Sequence, residues 1–304
     1  MEPTNRHKTE VSIIVGVTPR KGFNSIFNLL ETIFSQKGDI TFECIVVDVF
    51  DKQREKIYRE QFPRVKVIQT ETLLYEPCLR NIGVKQAQSE IITFLEDHIL
   101  LSPSYLKNLV KLFSNGYKIV GGTVANANPK SFFGWIQYFC EYNKWLPGLP
   151  DGKVKDLPGC NFSYHAEVLK KLGPFPEGEF GVETYFHKKA RDAGYNLYLC
   201  SGLEVAHVND AMLRLTSIAR FKYGQLFAAR RGFSRMKQVL YIVLSPVIAI
   251  LEYVRIFKHT RHNSFYLEKL IQCTPFLLPI LFIWMMGECS GYISGYGRPK
   301  TKNG

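Results

Sequence analysis

Residues 91–98 read Ile-Ile-Thr-Phe-Leu-Glu-Asp-His, an apolar run that ends in two carboxylates and an imidazole. Short apolar runs rich in β-branched and aromatic residues are typical of strands buried on both faces. Three such runs come earlier, at residues 11–17, 44–49 and 65–68, and predicted helices separate them. Strands that alternate with helices predict crossover connections and a parallel sheet.

Helical spacing and stop signals mark the other elements. They predict helices at residues 23–34, 52–61, 79–88, 132–145, 167–172 and 185–193. Two short strands are expected at residues 197–200 and 203–207, after a loop at residues 151–161. The second half of the chain therefore continues the α/β pattern less regularly than the first half.

Polar side chains follow two of the predicted strands where they end. Asp48 ends the second strand, and Glu96, Asp97 and His98 follow the fourth. Ligands of open α/β sheets bind beyond the carboxyl ends of the strands. The first half is therefore predicted to bind a nucleotide, with a divalent cation on its diphosphate. An exposed polar loop is the alternative interpretation of residues 96–98.

The composition is that of a folded protein with a basic surface. The 304 residues are 46% hydrophobic and 22% charged, which excludes global disorder, and the formal net charge is +12. The seven cysteines form no CxxC pair, so neither a zinc site nor a disulfide framework is indicated. Residues 1–10 are polar and do not resemble a secretory signal, which predicts a catalytic part in the cytoplasm.

The C-terminal part combines basic and apolar segments. A basic stretch with interleaved aromatic residues contains Arg214, Arg220, Lys222, Arg230, Arg231, Arg235 and Lys237. Uncharged apolar runs follow at residues 239–251 and 270–287, both short for a spanning helix of about 20 residues. A helical hairpin that returns, helices in the headgroup layer and a core helix pair of a soluble domain all fit. The basic stretch favours an anionic membrane surface, and no nucleic-acid-binding motif accompanies it.

Two single residues are further candidates for chemistry. Glu183, in Gly181-Val182-Glu183-Thr184, stands at the start of a predicted helix. It either accepts a proton from a hydroxyl group or stabilises the helix dipole. His207 ends a predicted strand, where it is either a core histidine or a ligand of metal or phosphate.

Taken in order, these segments resemble the family-2 glycosyltransferases of the GT-A fold. The resemblance rests on Val11–Val15, Val46–Asp48, Arg80–Gly83 followed by Ala87, Phe94–His98, Pro158–Tyr164, Leu172–Phe175, Gly181–Thr184 and Arg220–Gly224. It covers about residues 11–229.

Three departures from the family pattern bear on function. The slot of the metal-binding Asp-x-Asp motif reads Glu96-Asp97-His98, and the slot of the Glu-Asp motif reads Val182-Glu183. The Gln-x-x-Arg-Trp motif of processive synthases is absent from the sequence, which favours transfer of a single sugar.

The resemblance implies an α/β fold of the GT-A, Rossmann-like type. A mixed, mostly parallel sheet flanked by helices is expected, followed by C-terminal apolar helices at the membrane. We expect a catalytic domain at residues 1–213, a basic amphipathic linker at 214–238 and membrane-associated helices at 239–304.

The resemblance also implies an enzyme that moves one sugar, a hexosyl or similar group, from a nucleotide-sugar to a lipid-linked or membrane-proximal acceptor, with inversion. Glu183 is the expected catalytic base. Expected donor-binding residues are Thr18, Asp48, Arg80, Asn81, Glu96 and Asp97; acceptor-binding residues are Gly159, Cys160 and Asn161; ligands of Mg²⁺ or Mn²⁺ are Glu96, Asp97, His98 and His207.

The expected place of action is the cytoplasmic face of the cell membrane, in the synthesis of cell-surface polysaccharide or glycolipid. Two other functions fit the sequence. One is a catalytically inactive GT-A-fold protein that binds a sugar nucleotide or serves as a scaffold at the membrane. The other is a soluble nucleotidyltransferase of related architecture.

Overall fold

The structure is a computed structural model that describes residues 9–18, 25–177, 182–209 and 212–295. It divides the chain into two compact units. The sheet unit comprises residues 1–127 and 147–207, and the helical unit comprises residues 128–146 and 208–304. The predicted catalytic domain ended near this division, at residue 213, but residues 128–146 belong to the helical unit because their aromatic side chains pack there.

The first half of the sheet is parallel, as predicted. Its strands are β1 (Val11–Gly16), β2 (Phe42–Val49), β3 (Val65–Thr70) and β4 (Ile91–Glu96), in the order β3-β2-β1-β4. Every residue of β1 is buried, which explains why its sequence is apolar except for Ser12. The parallel pairing places the last residues of these strands, including Asp48 and Glu96, along one edge.

The second half of the sheet is mixed. It contains β5 (Ile99–Leu101), β6 (Ile119–Asn126), β7 (Gly152–Val154), β8 (Asn161–His165) and β9 (Leu197–His207). β8 pairs antiparallel with β4 and β6, β9 runs parallel to β6, and β5 and β7 pair antiparallel with β9. The predicted mixed sheet flanked by helices is confirmed.

The two short strands predicted at residues 197–200 and 203–207 are one continuous strand, β9, so that prediction was wrong. Ser201 and Gly202 are exposed polar or small residues that interrupt the apolar pattern, and they lie inside β9 between its two paired segments. Opposite them the register with β6 shifts between Gly122 and Val124. A Cβ atom on Gly122 would lie 1.6 Å from the Leu203 carbonyl oxygen, so this shift requires glycine.

Helices of the sheet unit cover the sheet and position the loops at its edge. They are α1 (Ser25–Phe34), α2 (Lys52–Gln61), α3 (Glu76–Val84), α4 (Tyr105–Ser114), α6 (Ala166–Leu172) and α7 (Val182–Asp192). Asp51 caps α2 by accepting from the backbone N–H groups of Gln53 and Arg54. Phe186 of α7 packs on Phe175, with ring centroids 4.2 Å apart. This contact fixes the first turn of α7 and therefore Glu183.

The helical unit contains α5 (Phe132–Tyr142), α8 (Leu213–Arg230), α9 (Arg235–Val243), α10 (Ser245–Thr260) and α11 (Ser264–Ser294). Side chains of Leu213–Leu215 and Arg230 are not described. Glycines let α8 and α11 approach closely, since a Cβ atom on Gly287 would lie 2.1 Å from the Phe221 carbonyl oxygen. At the other end of α11, Tyr266 stacks on Tyr138 of α5.

The two predicted apolar runs take different forms. The first run, at residues 239–251, is divided between α9 and α10, whose axes differ by 72°. The second lies inside α11, which by length and composition is the one described helix that could cross a membrane. The bent pair α9–α10 would add a second crossing only if it formed a single broken span.

We expect Gly122→Ala to destabilise the sheet unit by about 3 kcal/mol, because its methyl group has no space against β9. Gly116→Ala is the control: its φ of 87° disfavours alanine, but nothing lies within 4 Å, so only about 1 kcal/mol should be lost. Chemical denaturation in detergent measures both. Equal losses would contradict the close approach of β6 and β9.

Candidate functional site

Two histidines and a glutamate meet at the edge of the sheet. Glu96 is the last residue of β4, and the pairing of β5 with β9 sets Ile99 opposite His207. His98, immediately before Ile99, therefore lies beside His207, with ring centroids 4.4 Å apart. The Glu96 Oε2 atom is 3.4 Å from His98 Nε2 and 3.2 Å from His207 Nε2.

These three side chains form a candidate metal centre. One ligand atom from each lies within 4.8 Å of the others, and both imidazoles are buried. Carboxylate oxygen and imidazole nitrogen are common ligands of first-row divalent metals. The donor set of Glu96, His98 and His207 therefore fits a divalent cation, as the sequence predicted for these residues.

Asp97, the remaining predicted ligand, takes a different position. Its Oδ1 atom lies 2.7 Å from His98 Nδ1, and its Oδ2 atom accepts a hydrogen bond from the Thr18 backbone N–H at 3.0 Å. A carboxylate that accepts from Nδ1–H fixes the ring and leaves Nε2 for the metal. Asp97 thus orients His98 and also brings Thr18 to this edge.

A buried arginine lies beside the predicted catalytic base. Arg80 of α3 is 1% exposed and donates to the carboxylates of Glu183 and Glu76. It also donates to the Gly159 carbonyl oxygen at 2.7 Å. These contacts join α3, α7 and the loop before β8.

The charge on Arg80 is secured by its neighbours. Burial alone would lower the pKa of its guanidinium, but the carboxylates of Glu76, Glu183 and Glu96 outweigh this effect and raise that pKa. Glu96, the metal-side carboxylate, is thus close enough to act on the arginine that holds Glu183.

The two groups of residues adjoin along the backbone as well. The Glu96 N–H donates to the Cys160 carbonyl oxygen at 3.2 Å, and Cys160 follows Gly159, whose carbonyl binds Arg80. The carboxylates at positions 96 and 183 therefore lie at one edge of the sheet.

Glu183 presents one engaged and one available oxygen. Its Oε1 atom accepts from Arg80, and no donor to Oε2 is found among the described residues. Gly159 lies beside this oxygen, since a Cβ atom there would be 3.9 Å from Oε2. The side chain is 15% exposed, and Gly181, in the same predicted motif, lies outside the described residues.

Asp48 is engaged with the protein. It is 2% exposed and accepts from Arg54 Nε at 2.8 Å, Arg54 Nη2 at 3.1 Å and the Tyr58 hydroxyl at 3.0 Å. Burial raises the pKa of this carboxyl, although the bonds from Arg54 and Tyr58 oppose that rise. A nucleotide contact by Asp48 would have to share oxygens that α2 already uses.

Asn81 and Asn161 hold backbone segments in place. The Asn81 amide donates to the Phe175 carbonyl and accepts from the Phe175 N–H, both at 2.9 Å. Asn161 donates to the Leu203 carbonyl and accepts from the Tyr105 hydroxyl, both at 2.7 Å. Cys160, like Asn161, is fully buried, so the predicted acceptor segment exposes Gly159 more than its neighbours.

Sequence reasoning missed two supporting carboxylates. Glu76 precedes Arg80 by four residues on α3, a spacing that pairs charges on one helix face and could have been noticed. Asp156 accepts from the Thr184 hydroxyl at 2.9 Å and lies 2.6 Å from His187 Nδ1. Asp156 thus connects α7 to the segment before Gly159. No short-range pattern in the sequence predicts this pairing.

A likeness to a solved structure agrees with this architecture. The crystal structure of GalNAc-T7 with UDP, GalNAc and Mn²⁺ matches with a TM-score of 0.53 and 14% sequence identity. The match covers 67% of this chain and 44% of that chain, so this chain spans less than half of that protein's length. At this identity the likeness shows the fold alone, and it confirms the predicted GT-A fold.

Comparison at the level of sequence is more specific. No curated protein matches the chain. The family model described as glycosyl transferase family 2 matches residues 12–173, which is just over half of the 304 residues. The chain belongs to glycosyl transferase family 2.

Proposed function

We propose that this chain is an inverting glycosyltransferase that moves one sugar from a nucleotide-sugar to a lipid-linked or membrane-proximal acceptor. The observation that carries the proposal is the position of Glu183. Its carboxylate is held by Arg80 at the edge of the sheet that also carries Glu96, His98 and His207. A proton acceptor beside a cation site is the arrangement that direct displacement at an anomeric carbon requires.

The proposed reaction is a single displacement. Glu183 Oε2 takes the proton of the acceptor hydroxyl while that oxygen bonds to the anomeric carbon. The bond from this carbon to the phosphate oxygen breaks, and its electron pair leaves with the nucleoside diphosphate. Arg80 holds the other oxygen of Glu183, so the base has one orientation before the acceptor arrives.

Glu96, His98 and His207 would hold the cation. When bound, a divalent cation stabilises the negative charge that develops on the departing diphosphate. With two imidazoles and one carboxylate, this set favours Mn²⁺ over Mg²⁺, which prefers oxygen ligands. The matching crystal structure contains UDP and Mn²⁺, which makes uridine-diphosphate sugars and Mn²⁺ the first ligands to test.

The acceptor and the place of action are part of the proposal. The chain carries an apolar helix long enough for membrane attachment and an excess of positive charge. Both features suit a lipid-linked or membrane-proximal acceptor at the cytoplasmic face of the cell membrane. Synthesis of cell-surface polysaccharide or glycolipid is the kind of pathway that uses such acceptors.

We expect Glu183→Gln to lower kcat by about 10²–10⁴-fold, because general base catalysis contributes about that much. The affinity for the donor should stay unchanged, since the substitution preserves shape and leaves the cation site intact. Sugar release from a panel of sugar nucleotides with Mn²⁺ measures the effect, with Glu167→Gln on the exposed part of α6 as the control. A Glu183→Gln protein with wild-type kcat would remove Glu183 from this role.

We expect Arg80→Lys to lower kcat about tenfold or more without changing the donor Kd, because lysine cannot bridge the three acceptors that Arg80 joins. In a Glu183→Gln background the same substitution should cost nothing further, since both residues act through one carboxylate. Arg59→Lys, at an exposed pair, is the control. A raised donor Kd would instead support the predicted donor contact of Arg80.

We expect His207→Ala to lower the affinity for Mn²⁺ by at least tenfold, because it removes one of three ligands. Asp97→Asn should lower it by about 10–100-fold, the usual effect of removing a group that orients a ligand. Electron paramagnetic resonance of free Mn²⁺ measures both, with His165→Ala as the control at a histidine away from the cluster. Unchanged affinity in His207→Ala would show that these residues do not form the cation site.

A further inference from the structure

The helices α9 and α10 form a bent pair with an uncharged bend, here called the apex (Val243–Val247). α9 ends at Val243, α10 begins at Ser245, and their axes differ by 72°. Pro246, in the first turn of α10, cannot donate a backbone hydrogen bond, so the chain changes direction where the helix starts. At the apex Val243 is 69% exposed and Val247 is 52% exposed.

An apolar surface extends from the apex along both helices. Its exposed members are Met236, Val239, Leu240, Val243, Leu244, Val247, Ile250, Leu251, Val254 and Phe257. Soluble proteins rarely expose this many neighbouring apolar side chains. Such a surface marks a site that binds a membrane or another protein.

Positive charge lies at the two outer ends of the pair, here called the feet. Arg235 and Lys237 form the first foot, and Lys258 and Arg261 form the second. No charged residue lies between positions 238 and 251. Basic residues at both feet suit anionic headgroups, and an uncharged apex suits acyl chains, so both feet belong at the same membrane surface.

The dimensions of the pair limit how deep the apex can reach. The nine residues of α9 and sixteen of α10 give arms of about 14 and 24 Å. With a bend of 72°, the feet are about 31 Å apart and the apex lies about 10 Å from the line that joins them. Since the hydrocarbon core is about 30 Å thick, the apex stays within one leaflet.

The ends of α11 are fixed beside the same feet. α11 begins at Ser264, three residues after Arg261. Near its other end, Glu288 accepts a hydrogen bond from Arg231 at 2.6 Å, and Arg231 lies four residues before Arg235. The helix advances about 36 Å from residue 264 to residue 288, which agrees with the distance between the feet.

The positions of the two ends of α11 distinguish a helix that crosses the bilayer from one that lies flat on its surface. A helix that crosses a bilayer has its ends at opposite surfaces, whereas α11 is held at both ends beside feet that share one surface. Its exposed apolar side chains, such as Ile271, Met286 and Ile293, also suit the boundary between headgroups and acyl chains.

We propose that the helical unit is a monotopic anchor for an anionic membrane. The apex of α9–α10 enters one leaflet, α11 lies in the headgroup layer, and none of the described helices crosses the bilayer. The anchor is independent of the catalytic assignment, because it depends only on contacts inside the helical unit.

Protease accessibility in sealed inverted membrane vesicles tests the topology. Full-length protein would carry a tag at each end, and a second form would carry a cleavage site inserted after His262, which is exposed. A monotopic anchor predicts cleavage at all three places from the outside of the vesicles. Protection of the C-terminal tag alone would show that α11 crosses, and protection of the site after His262 would show a two-helix hairpin; either result overturns the proposal.

Vesicle binding of the purified chain tests the lipid contact. Val243→Glu should weaken binding to vesicles of phosphatidylcholine and phosphatidylglycerol by at least tenfold, since a charge among acyl chains is costly. Gln69→Glu, on exposed β3, should bind like wild type, and added salt or omission of phosphatidylglycerol should weaken binding of both. If Val243→Glu instead breaks a dimer and leaves vesicle binding unchanged, the apolar surface faces a second copy and the proposal fails.

Discussion

One buried guanidinium joins the elements that form the candidate active site. Arg80 is charged and almost wholly withdrawn from water, which costs on the order of several kcal/mol unless acceptors surround it. The acceptors come from α3 itself, from Glu183 of α7 and from the Gly159 carbonyl. α7 and the loop before β8 must therefore close on α3 if the sheet unit is to be stable. The position of the proposed base is thus a consequence of burying Arg80.

The cation side of the site depends on strand register in the same way. β5 has only three residues, and its pairing with β9 sets Ile99 opposite His207 and brings His98 to the same place. A slip of one residue would turn His207 to the other face of the sheet. Asp97 lies against the ring of His98, so neighbouring residues of one segment divide the proposed tasks of binding the cation and orienting its ligand.

The sequence predicted what depends on local pattern and missed what depends on distant pairing. Apolar runs located β1 to β4 to within a few residues, and strand ends located Glu96 and His98. The bonds of Asp97 to His98 and Thr18 could not be predicted, because Asp, Glu and His at one strand end all look like ligands until their distances are known. The single strand β9 was missed because Ser201 and Gly202 interrupt the apolar pattern. The strand nevertheless continues past them, and its register with β6 shifts there. The pairing of Glu76 with Arg80 could have been predicted, since an i, i+4 pair is a local pattern.

Hydropathy alone does not decide whether a helix of the helical unit crosses a membrane. α11 is apolar over enough residues to cross a bilayer, but composition describes only what surrounds a helix, not where its ends are held. The ends are set by contacts between distant residues, Glu288 with Arg231 and Tyr266 with Tyr138. Close packing through Gly224, Gly287 and Gly291 holds α8 and α11 together. An apolar helix fixed in this way along α8 has the composition of a crossing helix, and the contacts at its ends, rather than its composition, determine how it can lie against a membrane.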